Sequence, residues 1–321
     1  MEDNLRLLEQ YQSYPLDWKI EKTVYWLEDW PNGYLSFSGG LGSRVLLDVM
    51  NRYSHRKHPV VFIDTGLEHP GVREKGLEYA RFVLKPELSF KQVIETYGYP
   101  VVSKSQALAI RKLRHYNLSE AYRNKLLHGD ERGTMGKLSD KWHYLVDAPF
   151  EISEQCCDIM KKEPAEKFEE KSGLWPITAE MAEESQNRKQ VFVQHGCANM
   201  FGRKRPKSTP MIHWREQDIL KYAKEHNIDY AKEYGDIECP RGGKCYTTGE
   251  SRTGCMFCMF GVHLEPPHDN RFTRMAKNEP KIYDYCINKL GLGEVLDYLG
   301  VNYKPYPEHL GERKDGQIIF V

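Results

Sequence analysis

The sequence predicts an α/β protein built on a Rossmann-like, doubly wound and mainly parallel sheet, with a cysteine-rich C-terminal part. Three observations carry this. Short apolar runs near 34–37, 59–64, 82–85 and 174–178 read as strands. The runs alternate with segments of helical spacing, the pattern of a parallel sheet with crossover helices. The first two runs end in small, hydroxyl or acidic residues, and open α/β sheets bind ligands at the carboxyl ends of their strands.

Residues 1–33 read as an N-terminal helical segment. Leu5, Leu7, Leu8 and Tyr11 share one face, Ile20, Val24 and Leu27 follow after Pro15, and both helices are expected to pad the sheet edge. Tyr34-Leu-Ser-Phe37 is the first strand, and it runs into Ser38-Gly39-Gly40-Leu41-Gly42-Ser43. The helix that follows places Val45, Leu46, Val49 and Met50 on one face. Three glycines let the backbone approach a ligand closely, and free amides at a helix N-terminus favour an anion. No Gly-Lys-Ser/Thr closes the loop, and the spacing is not G-x-G-x-x-G, so neither common nucleotide fingerprint applies.

The second strand, Pro59-Val-Val-Phe-Ile63, ends in Asp64, Thr65 and Glu68. A helix from about Val72 to Ala80, a third strand Phe82–Lys85 and a helix Phe90–Tyr97 complete the first half. Residues 104–145 then gather Lys104, Arg111, Lys112, Arg114, His115, Arg123, Lys125, His128, Arg132, Lys137 and Lys141, interleaved with Tyr116, Tyr122, Trp142 and Tyr144. This basic helical insertion is either a solvated face or a surface for a polyanion such as a nucleic-acid acceptor. Leu174–Thr178 is a further strand, and Ile219, Leu220 and Ala223 have the spacing of a core-facing helix. The expected divisions are 1–33, a nucleotide-binding domain over 34–235, and a cysteine-rich helical region over 236–321.

Lys plus Arg and Asp plus Glu balance at 46 each, so no global field draws the chain to nucleic acid. No apolar run is long enough to span a bilayer, and the first residues lack a signal peptide's pattern, so no membrane partner and a cytoplasmic location are expected. In that compartment the eight cysteines suit metal ligation or reactive thiols better than disulfides.

Ser38-Gly39-Gly40 with Ser43, followed by Asp64-Thr65-Gly66 with Glu68, resembles the PP-loop superfamily of adenine-nucleotide enzymes, and within it the phosphoadenylyl-sulfate reductase family. The resemblance runs from about Tyr34 to Gly261 and implies an adenine nucleotide α-hydrolase-like fold. It also implies a nucleotide substrate, ATP or (phospho)adenylyl sulfate, with Mg2+ as a further expectation. Gly42 departs from the pattern, standing where an Asp is usual. Glu184, Ser185 and Arg188 match the family's E-S-x-x-R segment, while Met181 replaces its first Arg. Trp214-Arg-Glu-Gln-Asp218 resembles its W-x-x-x-D segment. The tandem pair Cys156-Cys157 with Cys255-Met-Phe-Cys258 is similar to the ligand placement of the iron–sulfur branch, implying one [4Fe–4S] cluster. Two other readings stay open: a local zinc site from Cys239, Cys245, Cys255 and Cys258, and a C-x-x-C redox dithiol. Cys197 and Cys286 read as packing residues.

In this family the nucleophile is a cysteine in a C-terminal Cys-Gly motif, and no cysteine follows Cys286 here. The sequence therefore favours ATP α–β cleavage that adenylates an acceptor for sulfur transfer, with a sulfur or electron donor protein as partner. The alternatives are a sulfonucleotide reductase using an external thiol, and a non-catalytic nucleotide-binding protein.

Overall fold

The structure is a computed structural model describing residues 2–131, 133, 136–305, 310–312 and 318–320. In chain order the elements begin α1 (Glu2–Ser13), α2 (Leu16–Glu28), β1 (Gly33–Phe37), α3 (Leu41–Tyr53), β2 (Val60–Ile63), α4 (Pro70–Tyr79) and β3 (Phe82–Leu84). Next come α5 (Phe90–Tyr97), β4 (Val101–Val102), α6 (Lys104–His115), α7 (Glu120–His128), α8 (Glu163–Ser172), β5 (Trp175–Ile177), α9 (Gln186–His195), β6 (Asn199–Met200) and β7 (Lys207–Ser208). The chain continues with α10 (Glu216–Glu225), β8 (Ile237–Glu238), β9 (Tyr246–Thr247), β10 (Met259–Phe260), α11 (Arg271–Asn278), α12 (Pro280–Asp284) and α13 (Leu292–Tyr298). It closes with β11 (Leu310–Glu312) and β12 (Ile318–Phe320). The four expected strands form within a residue or two of their sequence boundaries.

Packing divides the chain into two units, each made of two segments: 1–87 with 161–254, and 88–160 with 255–321. The sequence division at 33/34 and 235/236 cuts the chain differently, because linear composition does not register segments that meet after a long detour.

The first unit holds a six-stranded sheet in the order β3-β2-β1-β5-β7-β6. It is parallel except for β6, which runs antiparallel to β7. Leu35 pairs with Val60 on one side and Ile177 on the other. The chain winds outward from β1 through β2 and β3, then returns to β1's other flank at β5. That reversal is a topological switch point, where crossover loops diverge and leave a crevice. The expected face of α3 is buried, with Val45, Leu46, Val49 and Met50 all at 2% exposure or less. Helix α2 packs on α3, which α10 also contacts, and its Trp26 carbonyl accepts from Asn199 of the edge strand β6 at 3.0 Å. Beyond that edge contact, Ile20 and Leu27 find their apolar partners in the central core.

The motif Trp214–Asp218 serves this packing. Trp214 Nε1 donates to Thr23 Oγ1 at 2.9 Å, and buried Lys19 pairs with Asp218 at 2.6 Å. Asp218 also accepts from the Arg215 amide at 2.8 Å, fixing the start of α10.

In the second unit β4 and β10 pair in parallel, Val101 with Met259 and Val102 with Phe260. The basic insertion forms α6, α7 and a 3-10 segment at Asp140–Asp147. Its cations are largely engaged at home: Arg111 with Glu154 (2.5 Å), His115 with Glu151 (2.7 Å), Lys125 with Asp130 (2.6 Å) and Lys137 with Asp140 (2.9 Å). Lys112 and Lys141 lie over Tyr122 and Trp142. Arg132 lies outside the described residues. Acidic partners at 130, 140, 151 and 154 thus neutralise part of the segment's charge locally, and no nucleic-acid surface is shown here. No helix among the described residues is long and apolar enough to cross a membrane.

Candidate functional site: a groove at the carboxyl end of the sheet

Strand β1 delivers Ser38, and the chain turns through Gly39 and Gly40 into α3. Gly39 has φ +74°, and a Cβ there would lie 2.2 Å from the Val72 carbonyl oxygen, so the turn accepts only glycine. The hydroxyls of Ser38 and Ser43 lie 3.1 Å apart, the Gly40 amide donates to Ser38 Oγ at 3.3 Å, and Ser43 Oγ donates to the Gly40 carbonyl at 2.8 Å. The Leu41 amide donates to the Tyr234 hydroxyl at 3.0 Å, and that hydroxyl is bonded to Thr253 Oγ1 at 2.7 Å. The loop is thus preorganised, with its hydroxyls and the first turn of α3 facing a cavity of about 420 Å³.

That cavity is lined by Ser38, Gly40, Gly42, Ser43, Glu184 and Arg188, among others. A second cavity of about 640 Å³ carries Tyr34, Glu68, Arg203, Lys204, Arg205 and Lys207. The two share Ser36, Ser38, Thr178, Glu180, Thr253 and Gly254, so they form one continuous groove within the first unit. Each part is of the size that encloses a small ligand.

The remaining sequence candidates lie beside this groove. Asp64 is buried and bound in a two-point pair to Arg73, at 2.7 and 2.8 Å, whose hydrogen bonds hold its carboxyl below the usual range. Thr65 Oγ1 donates to Glu68 at 2.6 Å and accepts from the Leu67 amide. Asp64 and Thr65 therefore shape the turn after β2, while Glu68 reaches the groove. Ser185 accepts from the Arg188 amide at 3.3 Å and caps α9. Arg188 is paired with Glu184, which also accepts from the Met181 amide at 2.9 Å.

Residues 107–258 match the family model of the phosphoadenosine phosphosulfate reductase domain. Over that span the chain is similar to the PAPS-reductase domain. The matched span is just under half the chain and begins after the Ser38–Glu68 segment. Among solved structures, the phosphoadenylyl-sulfate (PAPS) reductase from Candida auris in its phosphate complex is similar at 18% identity, over 72% of this chain and 89% of that one, with a TM-score of 0.37. No curated protein matches.

Within the matched span the run Arg203-Lys-Arg-Pro-Lys207, which the sequence did not flag, brings basic side chains to the groove. Its density of charge was the available signal. Arg205 is held by two bonds to Glu169, at 2.6 and 2.7 Å, and Glu169 is 3% exposed. The Tyr34 hydroxyl donates to the same carboxylate at 2.6 Å, and burial, then Glu169, pushes its pKa above the usual range. Lys207 pairs with Glu180 at 2.6 Å. Tyr234 and Thr253 were also overlooked, since an isolated Tyr and Thr carry no motif.

Cys156, Cys157, Cys255 and Cys258 all fall in the second unit. The Cys258 thiol is pushed up to about 11, first by burial and then by Cys255, with a smaller contribution from Cys157. Among the described residues, however, no three His, Cys, Asp or Glu side chains are gathered closely enough to hold a metal ion. As placed, the donors do not fit the expected [4Fe–4S] cluster, and no step below runs through a cluster or through Mg2+. For the four-cysteine zinc alternative, Cys239 and Cys245 are not free donors here, because they are bonded to each other. Cys286 is fully buried, as a packing residue should be, and burial raises its thiol well above the ordinary value.

Proposed function

We propose that the groove binds an adenine sulfonucleotide, adenylyl sulfate or its 3′-phosphorylated form, and that the chain reduces it with a thiol supplied from outside. The observation that carries this is the continuous groove joining a preorganised serine–glycine loop to a basic run. An anion at the loop meets the amides of α3's first turn and the hydroxyls of Ser38 and Ser43. A second anionic group, several ångströms along the groove, meets Arg203 and Lys204, beside Arg205 and Lys207 that Glu169 and Glu180 hold in place. A ligand carrying two separated anions on one nucleoside fits that division.

In the reaction, a thiolate attacks the sulfate sulfur and the sulfur–oxygen bond to the nucleotide breaks. Adenosine phosphate leaves, with its charge stabilised by the loop, and the sulfur stays on the attacking thiol as an S-sulfonate. A second thiol displaces sulfite from that S-sulfonate and forms a disulfide, so the two electrons come from the dithiol. Electrostatic stabilisation of the leaving phosphate is the contribution the groove is built to make.

This reverses the order that the sequence alone favours. ATP cleavage for nucleic-acid thiolation drew on a basic acceptor surface and a cluster, and the first is internally paired while the second lacks gathered donors. The deciding measurement is a paired assay on the full chain, sulfite from either sulfonucleotide with a small dithiol against pyrophosphate from ATP. Sulfite release is expected. Pyrophosphate release without sulfite would reinstate the ATP reading, and neither product with tight nucleotide binding would leave a binding protein.

A further inference from the structure

The hairpin of β8 and β9 is closed by a disulfide between Cys239 and Cys245, one step beyond the Glu238–Tyr246 pair. The five residues it encloses, Pro240-Arg-Gly-Gly-Lys244, are exposed. Cys239 is half-buried, whereas Cys245 is 5% exposed and belongs to the central core. Gln217 grips the Cys245 backbone in both directions, accepting from its amide at 2.8 Å and donating to its carbonyl at 2.9 Å.

The strand leaving Cys245 leads directly to the groove. The Thr248 amide donates to the Asp236 carbonyl, Gly249 to Tyr234 and Glu250 to Glu233, zipping this strand against the segment before Cys239. Three residues later Thr253 lines both parts of the groove and binds the Tyr234 hydroxyl. Tyr234 in turn holds the Leu41 amide at the start of α3, and Glu233 Oε1 accepts from the Gly71 amide at 2.7 Å, near the start of α4. One strap, 233–253, thus fixes the serine–glycine loop from outside, and its far end is tied by the disulfide.

We propose that Cys239 and Cys245 are a reversible thiol–disulfide modification site that sets the order of this strap and, through Tyr234 and Thr253, the affinity of the groove. The reductant is a dithiol. Its thiolate attacks Cys239, the accessible sulfur; the disulfide breaks and Cys245 leaves as a thiolate that takes a proton. The second thiol of the reductant then displaces Cys239, leaving two protein thiols and an oxidised reductant. In the reduced state the hairpin loses its covalent closure, and the strap exchanges between docked and undocked states.

The inference rests on the groove being a nucleotide site, so the test reads the strap separately. Deuterium exchange over 233–254 and calorimetric binding of adenosine 3′,5′-bisphosphate are measured on the full chain, oxidised and dithiol-reduced. Faster exchange and about tenfold weaker binding are expected on reduction, equivalent to about 1.4 kcal/mol. A Cys239→Ser/Cys245→Ser variant should match the reduced protein and ignore reductant. Unchanged exchange in 233–254 on reduction would overturn the switch, as would reductant sensitivity surviving in the double variant. Redox-dependent exchange with no nucleotide binding in either state would support the strap's coupling to the disulfide and overturn the nucleotide reading instead.

Discussion

Two glycines three positions apart in the serine–glycine loop should respond to the same substitution with opposite signs. Gly39→Ala places a methyl 2.2 Å from the Val72 carbonyl oxygen, in a backbone at φ +74°. The left-handed conformation alone costs an L-residue about 1–2 kcal/mol. The overlap is with backbone, which no rotamer relieves, so the turn must open and the total should reach about 3 kcal/mol, the upper end for a strained position. Gly42→Ala, inside α3, meets nothing closer than the Ala179 carbonyl oxygen at 3.9 Å. Helix propensity then predicts about 0.5–1 kcal/mol of stabilisation. Calorimetric melting should show Gly39→Ala lowered by several degrees and Gly42→Ala level or raised. Nucleotide affinity of Gly39→Ala, read by titration with adenosine 3′,5′-bisphosphate, should fall at least a hundredfold because the amides no longer converge. A Gly39→Ala protein that melts and binds like the parent would refute the close approach of loop and α4 on which the site is built.

Glu169→Gln removes the charge that anchors Arg205 and receives the Tyr34 hydroxyl. Loss of about 1.5–3 kcal/mol in urea unfolding is expected, the range for hydrogen bonds to a charged group, together with weaker sulfonucleotide binding. The Asp64 carboxyl has a lowered folded-state pKa, so its pair with Arg73 contributes stability above the unfolded value near 4 and loses it as pH falls through the folded value. Asp64→Asn should therefore lower stability at pH 7 and flatten the acid limb below about pH 4, read by melting temperature against pH. Cys286→Ser leaves a hydroxyl where a thiol is fully buried and should cost about 1–3 kcal/mol, while sulfite release per folded chain stays unchanged. A specific loss of turnover with full stability would make Cys286 a reactant.

What the sequence made legible is what local periodicity encodes. The strand runs at 34–37 and 59–64 and the buried face of α3 are stretches whose side chains sort themselves by burial within a few residues. The serine–glycine loop was readable because its turn is set by local residue type, with Gly39 at φ +74°. The strands β4, β6, β7 and β10 have two residues each and carry no period to detect. The charges of Arg111 and His115 looked available because their partners, Glu154 and Glu151, lie beyond the segment. Arg205 shows the converse. Its role depends on Glu169, which is 36 residues away and reads in isolation as one more surface acid.

The order of assembly follows from the way the first unit is threaded. Strand β1 must have neighbours on both sides, and the register that joins Leu35 to Ile177 spans most of the intervening chain. As the polypeptide emerges from a ribosome, β1, β2 and β3 are available early, but one flank of β1 stays open until β5, at Trp175–Ile177, has been made. The strap that secures the loop, at 233–253, comes later still. Folding is therefore expected to be slow and post-translational, governed by a non-local closure rather than by helix formation. A fragment cut to the matched span 107–258 would contain β5, β6 and β7 without β1, the strand that β5 pairs with, and should not fold by itself.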